Sequence, residues 1–324
     1  MKSIFNFFLF FCVFTAFASS DPNKEIDDID TFHFTNAEVI NKYTTRIPFK
    51  LVDRLIVIEG VHKKKKGWFV VDTGSEKLLL NKVHFSHLAT RNNRVNKSSG
   101  VLDFVDNPIE KRVQQLSFQN LNIRDKRSDI IDLSHIEKSK KIKILGIIGY
   151  NILKDYEVFV DMYLNQITLT KIDTKGNKLG KQKYLEKVID SIDFELKKHT
   201  IVIEGSINGK KLKFGLDTAA EFSQLNSKVS RKVLRSFYPK KRIKLRGASS
   251  AEIEVISGRL FKLKLSETVF FGPINTILTN LRSMNHAFGT KLDGVLGYDF
   301  FAQKRAIINY KKEKIYFINY PLIR

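Results

Sequence analysis

The sequence predicts an all-β protein built from two related halves, and three observations carry that expectation. The first is a repeat. Ile56-Val57-Ile58-Glu59-Gly60 returns as Ile201-Val202-Ile203-Glu204-Gly205, Asp72-Thr73 as Asp217-Thr218, and Leu80-Asn81 as Leu225-Asn226, all at one offset (217 − 72 = 145). The second is a later match, Gly146-Ile147-Ile148-Gly149-Tyr150 against Gly294-Val295-Leu296-Gly297-Tyr298, at a slightly larger offset (294 − 146 = 148). The third is texture: short β-branched and aromatic runs divided by Gly, Asn, Asp and Lys, which read as strands and turns with little helix. Units this long are not those of a solenoid. They describe a duplicated small domain related by an approximate twofold axis, like a homodimer fused into one chain.

Along the chain, Lys2, an apolar run from Ile4 to Phe17 and the small residues Ala18-Ser19-Ser20 ahead of Asp21 have the three regions of a secretory signal, expected over 1–18. The alternative, an uncleaved anchor, is disfavoured because the run is shorter than the ~20 residues of a span. Residues 19–45 read as a polar N-terminal arm. The first half, 46–172, holds IPFKLVDRLIVIEG, GWFVVDTG and RVQQLSFQNLNI and closes on a β-hairpin, VFVDMYLNQITL. The lysine-rich, apolar-poor segment 173–195 is the expected linker. The second half, 196–324, repeats the strand pattern and closes on AIINYKKEKIYF. A helix is expected at SKVSRKVLRSF, with a counterpart near NKVHFSHLATRNN.

Composition narrows the function classes. The net charge is +22, enough to draw anionic partners at a distance. Yet the lysines fall mostly at turns, where solvated charge also protects strand edges, and no nucleic-acid-binding signature accompanies them. No nucleic-acid partner is expected. Cys12 is the only cysteine and lies inside the signal, so no disulfide is expected. Two halves of this size bury enough core to do without one. No second segment resembles a membrane span. The expected product is exported, periplasmic or secreted, and monomeric with pseudo-dimeric halves.

The chemistry rests on Asp72 and Asp217. Two carboxylates brought together at a pseudo-twofold axis share a proton, so that one serves as base and the other as acid. Either aspartate alone reads as an ordinary turn residue, but matched duplication argues against that. In the first half the order is apolar strand, Asp72-Thr73-Gly74-Ser75, then apolar-apolar-Gly. In the second it is strand, Asp217-Thr218-Ala219-Ala220, and the same later element. On these motifs the chain resembles the aspartic proteases, in particular the retropepsin-like group with two fused units, over about 50–170 and 198–320. The resemblance implies a bilobal acid-protease fold of two β-barrel-like lobes and an aspartic endopeptidase, with no cofactor and no metal.

The resemblance further implies that Asp72 and Asp217 hold a water between them, one ionised and one protonated, titrating as a pair with activity at acidic to mildly acidic pH. Thr73 and Thr218 would interlock beneath the aspartates, Gly74 would let the loop turn sharply, and the two Gly-apolar-apolar-Gly elements would cross behind. A peptide or protein substrate would lie extended in the cleft under flaps, for which the candidates are Gly100 and Gly247. Two departures stand out: Ala219 replaces the second glycine and is tolerated only at negative φ, and Ser75 faces Ala220. A Ser75 hydroxyl donor would make Asp72 the ionised member.

Other residues have plainer readings. Glu59 and Glu204 read as exposed strand ends, Trp68 and Phe69 as core, and Tyr150 and Tyr298 as packing. His84 and His87 lack a third metal ligand. The rival function is a catalytically inert peptide-binding module that keeps the fold, and the retention of both aspartates argues against it. A third reading is a basic surface-binding protein in which duplication serves stability alone.

Overall fold

The computed structural model describes residues 37–86, 109–180, 187–246 and 252–319, with short strands at Ser98–Ser99 and Phe104–Val105. Strand dominates, and the described residues hold five short helices. The protein is all-β and bilobal.

In the first lobe, apolar alternation puts Ile56 and Ile58 on one face of strand Leu55–His62 and Leu55 and Val57 on the other; all four are buried. A sheet with both faces covered results. Its strands run in the order Lys50–Val52, Leu55–His62, Lys65–Val71, Ile144–Ile148, Leu78–Asn81, Leu121–Ile131 and Ile109–Phe118. Val61 pairs with Ser117 and curls the sheet toward closure. Phe69 and Phe118 meet edge to face inside it, with centroids 5.2 Å apart.

The second lobe follows the same order: Thr200–Ile207, Lys210–Leu216, Gly294–Leu296, Ser223–Asn226, Ile274–Thr279 and Glu252–Leu260, with Phe237–Arg246 beyond. In each lobe the strand after the aspartate lies parallel to a distant strand, Leu78–Asn81 to Ser128–Ile131 and Ser223–Asn226 to Thr276–Thr279.

The lobes are joined beneath by a sheet drawn from both. Its order is Glu38–Asn41, Thr44–Pro48, Gln166–Lys171, Tyr156–Asp161, Arg305–Asn309, Lys314–Ile318 and Val188–Lys197. The two closing hairpins meet at its centre, where Val158 pairs with Ile308.

Several local expectations differ from what is found. The arm expected over 19–45 contains one strand of this sheet, Glu38–Asn41, and the start of another. The segment 173–195 ends in strand, because Val188–Lys197 pairs with both Lys314–Ile318 and Thr200–Ile207. The helix at SKVSRKVLRSF is only Arg231–Leu234, since Phe237 already pairs with Leu260. Of its counterpart, residues 82–84 form a turn and those from 87 on lie outside the described residues.

Candidate active site

Both active loops begin where a strand ends between the lobes. Lys65–Val71 lies parallel to Ile144–Ile148, and Lys210–Leu216 to Gly294–Leu296. The first residue past each strand keeps that register: Asp72 N–H donates to Ile148 O and Asp217 N–H to Leu296 O, both at 3.0 Å. The loop is closed by Tyr150 N–H donating to Ser75 O and Tyr298 N–H to Ala220 O, both at 2.8 Å. Gly149 and Gly297 are required by this crossing. A Cβ on Gly149 would stand 2.6 Å from Ser75 O, and one on Gly297 2.1 Å from Ala220 O.

The two threonines exchange hydrogen bonds across the lobes. Thr73 N–H donates to Thr218 Oγ1 and Thr218 N–H to Thr73 Oγ1, both at 3.0 Å. Each hydroxyl then donates to the other lobe's strand, Thr73 to Leu216 O at 3.3 Å and Thr218 to Val71 O at 2.8 Å. Four backbone polar groups are satisfied by one reciprocal contact, which ties the lobes at the point where the aspartates stand.

Both aspartates are buried. Asp72 Oδ1 accepts from Gly74 N–H at 2.7 Å and Ser75 N–H at 3.0 Å, and Asp217 Oδ1 accepts from Ala219 N–H at 2.8 Å. The two carboxyls lie within hydrogen-bonding reach of each other. Their Oδ2 atoms take no hydrogen bond from other described residues.

Burial raises both carboxyls. Asp72 goes up to about 6, held there by its bonds to Asp217, Gly74 and Ser75. Asp217 goes well above the usual range, because burial is reinforced by the charge of Asp72. Asp72 Oδ1 accepts two backbone N–H bonds against one for Asp217 Oδ1, and such bonds favour the ionised form. The cause differs from the sequence expectation: the Ser75 hydroxyl donates to Lys77 O at 3.0 Å, and it is Ser75's backbone N–H that faces Asp72.

Gly74 and Ala219 are also explained by contact. Neither has a positive φ, so the sharp turn expected to need Gly74 is not the reason for glycine. A Cβ at Gly74 would lie 2.9 Å from Asp217 Cγ. Ala219, fully buried, belongs instead to a first-lobe cluster with Leu55, Val57 and Trp68. Ala220 packs within its own lobe beside Val202 and Val295.

Gly100 and Gly247 lie outside the described residues. Gly100 falls between the paired strands Ser98–Ser99 and Phe104–Val105, Gly247 between Phe237–Arg246 and Glu252–Leu260. His84 Nε2 meets Glu137 Oε1 at 2.6 Å, an oxygen that also accepts from Ile144 N–H; His87 lies outside the described residues. Among the described residues no group of three or more His, Cys, Asp or Glu is placed to hold a metal ion. Trp68 and Phe69 are core. Two surface concavities of about 500 and 330 Å³ are not lined by either aspartate.

Sequence reasoning missed a set of charges around the loops. Glu221, the fourth residue after Asp217, is buried against Lys140 of the other lobe, with Nζ 2.5 Å from Oε1. Arg54 donates from Nη1 to Glu221 O at 3.2 Å and lies over the Phe222 ring. Burial pushes Glu221 up to about 7 in spite of these cations. A signal was present in the repeat, since Glu76 matches Glu221.

Fold and site together define the class: a bilobal all-β acid-protease fold with paired buried aspartates between its lobes. The family model described as aspartyl protease matches residues 203–300, a stretch holding Asp217 and Gly294–Gly297. The second half is thus similar to an aspartyl protease domain. No curated protein matches the chain. No helix among the described residues is long and apolar enough to cross a membrane.

Proposed function

We propose that the protein is an aspartic endopeptidase of the retropepsin-like, two-unit type, exported and acting as a monomer on extended peptide segments. The observation that carries this reading is the juxtaposition of Asp72 and Asp217, buried, in mutual reach and locked by reciprocal threonines. Asp72, whose Oδ1 accepts two backbone N–H bonds, serves as base: it takes a proton from water as the water oxygen attacks the peptide carbonyl carbon. Asp217 gives its proton to the carbonyl oxygen, and a tetrahedral diol forms. On collapse the C–N bond breaks, Asp72 returns its proton to the leaving nitrogen, and Asp217 is reprotonated from the diol. The chain itself supplies both proton carriers, and the segments around Gly100 and Gly247 would cover the substrate.

The test incubates the purified protein, with and without its first 18 residues, with a denatured protein substrate over roughly pH 3 to 7, beside Asp72→Asn and Asp217→Asn. Cleavage by the unmodified protein and loss in both variants is expected. Cleavage that survives either substitution rules out the dyad. Absence of cleavage by every form, with a peptide still bound, favours the inert binding module.

A further inference from the structure

The repeat offsets match not only Glu76 with Glu221 but also the residues set against them, and there the halves differ. Arg54 matches His199, and Lys140 matches Phe288. Around Glu221 stand two cations, Lys140 and Arg54. Against Glu76 stands an imidazole: His199 Nδ1 lies 4.0 Å from Glu76 Oε2, and Phe288 meets that imidazole edge-on with centroids 5.5 Å apart. His199 is 1% exposed, and among the described residues neither of its nitrogens makes a hydrogen bond of good geometry, the Gly74 backbone giving only a weak one; the adjacent, buried Thr200 Oγ1 makes none. Buried polar atoms left so are uncommon in folded proteins.

We propose that Glu76 and His199 form a proton-dependent tie between the lobes, the counterpart of the permanent Lys140–Glu221 tie, which makes His199 a positioning residue for the Asp72 loop. With the imidazole proton on Nε2, the Nδ1 that faces Glu76 offers only a lone pair, so an ionised Glu76, which has only acceptors, shares no hydrogen bond with it at 4.0 Å. A protonated Glu76 has an O–H, which the free lone pair of a neutral imidazole accepts. The Lys140 ammonium, by contrast, stands 2.5 Å from Glu221 Oε1 and is attracted to that carboxyl whether or not it carries a proton.

The surroundings favour the neutral form of both groups. Burial holds the imidazole neutral down to about 4, and Lys198 of its own turn acts in the same sense, against a hydrogen bond with the Gly74 backbone. Burial raises Glu76, with Asp129 and Glu110 aiding and Lys77 and Lys198 opposing. From the helix Arg282–Phe288, the Phe288 ring is what faces the imidazole. Glu76 is placed to pass the tie on: its carbonyl accepts from Asn151 N–H at 3.0 Å, and Gly74 and Ser75, just before it, hold Asp72.

The consequence for activity rests on the dyad reading, so the experiment reads the tie in two ways. Glu76→Gln replaces the protonated carboxyl by an amide that donates at every pH. Relative to its own value near pH 5, its kcat/KM near pH 7 should be about fivefold higher than that of the unmodified protein, the factor set by one ordinary hydrogen bond. On a His199→Phe background the same substitution should change nothing. Independently of catalysis, the coupling of positions 76 and 199 in unfolding free energy should appear near pH 5 and vanish near pH 8. The ¹⁵N signal of His199 Nδ1 should move on acidification in the unmodified protein and stay fixed in Glu76→Gln, a readout that serves if His199→Phe does not fold. A coupling that is absent or pH-independent, together with an Nδ1 signal unaffected by Glu76→Gln, overturns the proposal. A pH-dependent coupling in a protein that hydrolyses nothing overturns only the enzymatic reading.

Discussion

Arg305 grips Asp161 in a two-pronged contact at the centre of the sheet beneath the lobes, Nε to Oδ1 at 3.1 Å and Nη2 to Oδ2 at 2.5 Å. Both side chains are buried, and the guanidinium also donates to Asn319 O at 2.6 Å and lies over the Phe159 ring. The matched positions at the other end of the same strand pair are Glu157 and Asn309, where Asn309 Nδ2 donates to Glu157 Oε2 at 3.2 Å. One end of the junction is held by a two-pronged ion pair, the other by an amide on a carboxylate that also meets Lys178 Nζ at 3.4 Å.

Removal of one partner from such a pair strands a buried charge. Asp161→Ala is expected to cost about 3–5 kcal/mol, seen as a lower midpoint in urea unfolding. The double replacement Asp161→Leu with Arg305→Met should cost less than Asp161→Ala alone. A smaller loss in the single variant would show that the guanidinium finds another partner.

The reciprocal threonines predict a graded series. Thr218→Ala leaves Thr73 N–H and Val71 O without partners, so a loss of about 1–3 kcal/mol is expected, with cleavage reduced because the carboxyls lose their common frame. Thr218→Ser keeps the hydroxyl and should retain most of both. Unfolding free energies and kcat for the pair of variants check this.

The two loops should answer oppositely to a methyl group. Gly74→Ala places a carbon 2.9 Å from Asp217 Cγ and should sharply lower kcat. Ala219→Gly removes a methyl from the cluster around Val57 and Trp68 and should cost stability by about 1 kcal/mol while leaving a working dyad. Equal losses in kcat for the two substitutions would contradict the contact geometry.

The dyad makes stability depend on pH. Asp72 and Asp217 are both raised by burial, so the folded protein binds protons that the unfolded chain has released. Their contribution is complete below the ordinary carboxylate range and is lost as pH rises through about 6, the value for Asp72, and above. Stability of the unmodified protein should therefore fall from acidic to neutral pH more steeply than that of Asp72→Asn, measured by chemical denaturation at a series of pH values.

Much of the site was legible because it is local and repeated. The strand, the Asp-Thr pair and the Gly-apolar-apolar-Gly element each lie within a few residues, and the common offset sets one copy against the other. The role expected of the Ser75 hydroxyl could not be read from sequence, since a hydroxyl can turn away from a neighbouring carboxylate and Ser75 turns to Lys77 O. Glu76 and Glu221 were visible as a matched pair. Their partners were not, because Lys140 and His199 arrive from the opposite lobe.

By itself the sequence determined the all-β texture, the two-part plan and the equivalence of Asp72 with Asp217, since alternation, turn residues and spacing are properties of short segments. Only the tertiary structure decided how the halves differ. Whether a glycine is needed for its φ or for the carboxyl standing against it, whether Glu221 meets an ammonium or Glu76 an imidazole, and which hydroxyl faces which acceptor all depend on contacts between residues far apart in the chain. Those contacts exist only once the core has brought the lobes together.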